Sequence, residues 1–145
     1  MGNLIGENSV LCARRMAKLT YIQAISVASA YSLFMFVYRE ELPDLFTSEE
    51  EAFPVAITVS VIPILAIANL IDMSLSFFLG CIRALGLQAK TALVIIGCFY
   101  IISLPLASYL GFYLEYSVHG IWIGYFTGIA IQCAIVAYMT LSEDW

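Results

Sequence analysis

Asp72 is the residue best placed to do chemistry, because it is a lone carboxylate within an apolar stretch that runs from 52 to 82. Hydrocarbon solvates an ionised acid poorly, so a charge at membrane depth predicts a functional site. One Asp at a helix centre costs about 2.5–3.5 kcal/mol on insertion, whereas each Leu, Ile, Phe or Val returns about 0.3–0.6 kcal/mol. The many such residues around Asp72 outweigh its cost. The segment can therefore insert as a helix and offer its acid to an ion or a substrate.

Two further polar residues share a helix face with Asp72. Asn69 lies three residues before it and Ser76 four residues after it, and both spacings nearly complete a helical turn. We predict that Asp72, Asn69 and Ser76 form an ion- or substrate-binding set. In the structural alternative, Asp72 is protonated and hydrogen-bonds a neighbouring helix. We favour the functional interpretation, because an amide can hydrogen-bond across helices without the cost of placing an ionisable group in hydrocarbon.

Three glycines recur at every fourth position near the end of the chain. Gly120, Gly124 and Gly128 are followed at the same spacing by Gln132. Such a stripe forms a groove that a partner helix can approach closely. Packing within the chain is the simpler interpretation of this helix-packing motif. Self-association through the groove is the alternative, and it would make the chain a stand-alone four-span membrane protein that oligomerises in a structural role.

Catalytic and metal-binding signatures are missing from the sequence. There is no nucleophile elbow, phosphate-binding glycine loop or HExxH pair. His119 is the only histidine, and it has no second ligand at metal-binding spacing. The net charge of −5 comes without a basic patch for nucleic acid. We therefore predict a protein that is not an enzyme, holds no metal or cofactor and binds no nucleic acid.

Composition predicts the elements that position these residues. The chain has 145 residues, of which 62% are hydrophobic and 12% charged, whereas soluble domains carry about 25% charged residues. A helix needs about 20 apolar residues to cross a bilayer. We predict an all-α, polytopic fold in one membrane domain, 1–145, with the lipid bilayer as its partner. Spans are expected at about 19–38, 57–82, 91–114 and 119–141, after a cytoplasmic tail or the end of a preceding helix at 1–18.

Basic residues predict the orientation of these spans, because Lys and Arg near span ends stay on the cytoplasmic side. Arg39 lies in the first loop, and the third loop has no basic residue. All the others fall on the opposite side of the predicted spans: Arg14, Arg15, Lys18, Arg83 and Lys90. Both termini are therefore expected in the cytoplasm. Pro63 and Pro105 are expected to bend the second and third spans.

The order of these residues resembles the multidrug and toxic compound extrusion (MATE) transporters. The acid of that family's tenth helix is followed by a loop motif, here Asp72, Gly80, Arg83, Gly86 and Gln88. The resemblance continues through Leu104-Pro105-Leu106, the stretch from Gly120 to Gly124, Gly128, Gln132 and Asp144-Trp145. Upstream, Gly2–Gly6 and Leu45–Thr47 also resemble family segments.

This resemblance implies that the chain forms the last four of twelve helices, within the C-terminal lobe. The transporter's N-terminal helices would then be a partner. The family exchanges small cationic organic compounds for protons or sodium, and the acid equivalent to Asp72 is implicated in binding ion and substrate. Arg83, Gly86 and Gln88 would mark the cytoplasmic loop. The resemblance implies a multi-pass protein of the plasma or vacuolar membrane.

Overall fold

The structure is a computed structural model that describes residues 9–44 and 52–143. Its helices are α1 (Val10–Val37), the short α2 (Glu41–Asp44), α3 (Ala52–Ala84), the composite α4 (Gln88–Tyr113) and α5 (Ser117–Ser142). The described residues contain no strand, which confirms the all-α prediction. The motifs at Gly2–Gly6, Leu45–Thr47 and Asp144–Trp145 lie outside the described residues.

Four helices are long and apolar enough to cross a membrane: α1, residues Val55–Ala84 of α3, α4 and α5. Their number agrees with the four membrane spans predicted from the sequence. Helix α1 begins at Val10, well before the span predicted from residue 19. Helical backbone continues through the basic segment because Arg and Lys are good helix formers, and because Ala13 and Ala17 pack there as buried residues.

Helix α3 lies at the centre of the packing, with α1 on one side and α5 on the other, while α4 packs against α5. Four buried residues form the hydrophobic core of this arrangement: Leu75, Ile82, Ile129 and Val136. All four lie on α3 and α5, so this pair forms the centre of the packing. Asp72 and Ser76 lie on exposed positions of α3.

A tight left-handed turn joins α3 to α4. Gly86 has a φ of 75°, which glycine adopts without the steric penalty of a Cβ. The Leu87 N–H donates to the Ile82 carbonyl at 3.1 Å and the Gly86 N–H to the Arg83 carbonyl at 3.3 Å. These two bonds define a Schellman motif. Leu87 then packs against the core, and α4 begins at Gln88. The residues of the loop motif thus reverse the chain between two spans.

Helix α4 is irregular around Pro105. Two α-helical segments, Gln88–Gly97 and Leu104–Ser108, alternate with π-helical segments at Cys98–Ser103 and Tyr109–Tyr113. The Leu104 N–H donates to the Phe99 carbonyl, the five-residue spacing of a π-helix. Pro105 has no N–H and its ring excludes the regular bond to the carbonyl four residues earlier. The wider bonding therefore accommodates the proline, where the sequence predicted a bend.

Candidate functional site

Asp72 lines a cleft of about 330 Å³ between α1, α3 and α5. This volume falls at the lower end of the range typical of small-molecule sites. The lining is mostly apolar and aromatic, and consists of Tyr31, Met35, Leu65, Ala66, Asn69, Asp72, Tyr125, Phe126 and Ile129. A single carboxylate is therefore set among apolar and aromatic walls, an arrangement suited to a small cation with an organic body.

The Asp72 carboxylate is not used to join helices within the described part of the chain. Its side chain is exposed, and no hydrogen bond or ion pair to another described residue involves it. The structural alternative requires a hydrogen bond from Asp72 to a neighbouring helix, and residues 9–44 and 52–143 contain no such bond. The Asp72 side chain therefore lines the cleft without a hydrogen-bond partner among the described residues.

Asn69 connects α3 to α1 one turn from Asp72. Its side-chain nitrogen donates to the Ser32 hydroxyl at 3.0 Å and to the Ala28 carbonyl at 3.2 Å. The Ser32 hydroxyl in turn donates to the Ala66 carbonyl on α3 at 2.7 Å. Both helices are thereby held together at the level of the cleft. Asn69 lines the cleft next to Asp72, whereas Ser76 is exposed and lies outside the lining.

An aromatic wall on α5, formed by Tyr125 and Phe126, faces the cleft. The two ring centroids lie 5.3 Å apart, and Trp122 stacks on Phe126 at 5.5 Å. Phe99 of α4 meets Tyr125 edge-on at 6.3 Å, so the wall is supported from behind. Sequence reasoning missed these residues. An aromatic stripe on an apolar helix has the same pattern whether it faces a cleft or a core.

The glycine stripe of α5 is filled by α4. A Cβ added at Gly120 would lie 2.5 Å from the Leu110 carbonyl oxygen, and one at Gly124 would clash with the backbone of Ala107. At Gly128 it would clash with the Ser103 side chain. Gln132 continues the stripe and is buried. This face is occupied within the chain, so the structure gives no support to self-association through it.

His119 joins the beginnings of two long helices. Its Nε2 lies 2.8 Å from the Ser60 hydroxyl, which donates to the Ile57 carbonyl at 2.7 Å. This contact links α3 to α5 near their first turns. Across residues 9–44 and 52–143, no group of three His, Cys, Asp or Glu residues could hold a metal ion.

Comparison with known proteins identifies the family. The MatE family matches residues 1–109. Protein DETOXIFICATION 29 of Arabidopsis thaliana is 28% identical over 145 residues, which are 100% of this chain and 29% of that protein. Protein DETOXIFICATION 31 of the same plant is 33% identical over 90% of this chain and 26% of its own length. An uncharacterized transporter of Schizosaccharomyces pombe is 26% identical over the whole chain. The chain thus spans under a third of the length of these relatives.

The fold is shared with a solved transporter. The crystal structure of the eukaryotic MATE transporter AtDTX14 superposes with a TM-score of 0.83 at 24% identity, over 92% of this chain and 29% of that one. The family consists of membrane transporters and not of enzymes. By its match over three quarters of its length and by its fold, the chain belongs to the MatE family, the multidrug and toxic compound extrusion transporters.

Proposed function

We propose that this chain works as part of a longer antiporter that exports small cationic organic compounds in exchange for protons or sodium. The observation that carries the proposal is the Asp72 carboxylate, which lines an aromatic cleft without a partner among the described residues. Asn69 supports the site by holding α1 against α3. Ser76 is proposed to contribute from the adjoining exposed face.

The chemistry of the cleft explains how exchange could be coupled. A carboxylate binds a proton, a sodium ion or an organic ammonium, but one carboxylate satisfies only one of them at a time. Three aromatic residues line the cleft, Tyr31, Tyr125 and Phe126, and a ring whose face meets an organic cation adds about 0.5–2 kcal/mol of attraction. An inorganic ion gains much less from such walls. Competition at Asp72 would therefore link release of the ion to capture of the substrate.

The remaining helices of the transporter are proposed as the partner of this chain. Secondary transporters bind substrate between repeats that move against each other, and the four spans here lie within one packed unit. The open face that carries Asp72 would then line a cavity shared with those helices. We further propose that both termini are cytoplasmic, from the distribution of Arg14, Arg15 and Lys18. The plasma or vacuolar membrane is proposed from the family resemblance alone.

A chimera tests the proposal. Protein DETOXIFICATION 29 would carry this chain in place of its matched segment, and ethidium efflux would be driven by a proton or a sodium gradient. Asp72→Asn is expected to reduce gradient-driven efflux at least about tenfold, the effect of losing one charge-assisted contact of ~1.4 kcal/mol or more. Glu115→Gln, which neutralises an exposed acid between α4 and α5, is the matched control. Unchanged efflux by Asp72→Asn at normal membrane levels would refute the role of this carboxylate.

A further inference from the structure

We propose that a cavity between the beginning of α1 and the end of α5 binds the headgroup of phosphatidylethanolamine. The cavity measures about 340 Å³ and is lined by Arg14, Ala17, Lys18, Leu141 and Glu143. None of these residues lines the Asp72 cleft. This inference therefore stands independently of the proposed transport function.

Two cations form one wall of this headgroup cavity. Arg14 and Lys18 are four residues apart on α1 and so project from the same face. Between them lies Ala17, which is 9% exposed and whose small side chain leaves space above it. Guanidinium and ammonium groups side by side are the usual donors to a phosphate.

A carboxylate from the end of α5 also lines the headgroup cavity. Glu143 follows the last turn of α5 in an extended conformation. Over residues 9–44 and 52–143, the only ion pair within 4.0 Å joins Arg39 to Glu40, so Glu143 does not contact Arg14 or Lys18 directly. The cavity is therefore lined by charges of both signs that do not pair with each other. A zwitterion complements this lining, with its phosphate on the cations and its ammonium on Glu143.

The position along the helices indicates that the bilayer supplies the ligand. The uncharged segment of α1 begins at Leu19, immediately after Lys18, and α5 ends at Ser142. Charged side chains at span ends lie at headgroup level. Leu141 is 75% exposed beside the cavity and offers an apolar surface to the glycerol and acyl part of a lipid.

The charges also select among headgroups. The ethanolamine ammonium has N–H donors for the Glu143 carboxylate, whereas the trimethylated nitrogen of choline has none. Phosphatidylglycerol carries a phosphate but no cation. Its net negative headgroup would therefore be repelled by the Glu143 carboxylate. The expected order of retention is therefore phosphatidylethanolamine first, with phosphatidylcholine and phosphatidylglycerol behind it.

Lipid retention measures this order. The chain would be placed in phosphatidylcholine nanodiscs that contain equal mole fractions of phosphatidylethanolamine and phosphatidylglycerol, and native mass spectrometry would count the lipids retained after release. Relative to its mole fraction in the nanodisc, we expect phosphatidylethanolamine to be retained about fivefold more than either other lipid. The combined Arg14→Gln and Lys18→Gln variant should abolish this excess. Glu143→Gln should lose the preference over phosphatidylglycerol while Glu143→Asp keeps it.

Arg15→Gln is the matched control, because it removes the same charge from the same helix outside the cavity lining. Its retention ratios should equal those of the unchanged protein. Equal retention of the three lipids would overturn the proposal. A loss with Arg15→Gln as large as with the combined Arg14→Gln and Lys18→Gln variant, or a preference for phosphatidylglycerol, would show only a general basic surface and would overturn the proposal as well.

Discussion

Gly124 of α5 lies directly against the backbone of Ala107 in α4, so that the two helices meet there through main-chain atoms. Gly120 meets Leu110 in the same way one turn earlier. In a bilayer the hydrophobic effect does not hold helices together, and close van der Waals contact replaces it. The glycine stripe is therefore the structural basis for the attachment of α4, which has no comparably extensive contact with α1 or α3 among the described residues.

Gly124→Ala is expected to lower the free energy of unfolding by about 1–3 kcal/mol, because the added methyl group has no room beside the Ala107 backbone. Gly97→Ala in α4 is the matched control. A Cβ there meets nothing within 4 Å, so it should raise stability by about 0.5–1 kcal/mol. Reversible unfolding in mixed detergent micelles measures both. Equal effects from the two substitutions would contradict the close packing.

Ser32→Ala is expected to destabilise the chain by about 1 kcal/mol, within the range measured for polar contacts between membrane helices. It removes the hydroxyl that accepts from Asn69 and donates to the Ala66 carbonyl. Ser26→Ala removes an exposed hydroxyl that bonds only to Ile22 of its own helix and should change stability little. Reversible unfolding in mixed detergent micelles measures the stability of both variants. A larger loss of stability with Ser26→Ala than with Ser32→Ala would refute the link between α1 and α3.

Gly86→Ala should cost about 1 kcal/mol of stability, because its φ of 75° is unfavourable for any residue with a Cβ. Space is not the reason, since a Cβ at Gly86 meets nothing within 4 Å. Gly80→Ala has equal space but an ordinary helical backbone, so it should be neutral or stabilising. Thermal unfolding of the two variants in detergent distinguishes them. A neutral Gly86→Ala would show that the turn tolerates another conformation.

The parts of the site that lie on one helix could be predicted, because helical periodicity alone relates them. Asp72 and Asn69 share a face of α3, and both line the cleft. Ser76 obeys the same periodicity but lies outside the lining of the cleft. Spans could be predicted because length and apolarity determine them almost alone.

The parts that depend on contacts between helices could not be predicted. Tyr31 and Tyr125 lie far apart in the sequence and meet only through the packing of α1 and α5 on α3. Asn69 appears polar and available in the sequence, yet its amide nitrogen is committed to Ser32 and Ala28. At Pro105 the sequence predicted a bend, whereas the structure has π-helical bonding there, in the part of α4 that packs against the glycines of α5.

Accessibility of position 72 tests the cleft within the transporter. In the chimera with the native cysteines replaced, Asp72→Cys is expected to react with a charged thiol reagent from one side of the membrane. Leu75→Cys lies three residues away on the same helix, but Leu75 is 5% exposed in the core, so it should react far more slowly. If both positions were equally unreactive from both sides of the membrane, Asp72 would be sealed from water, and neither ion nor substrate could reach the carboxylate on which the proposed exchange depends.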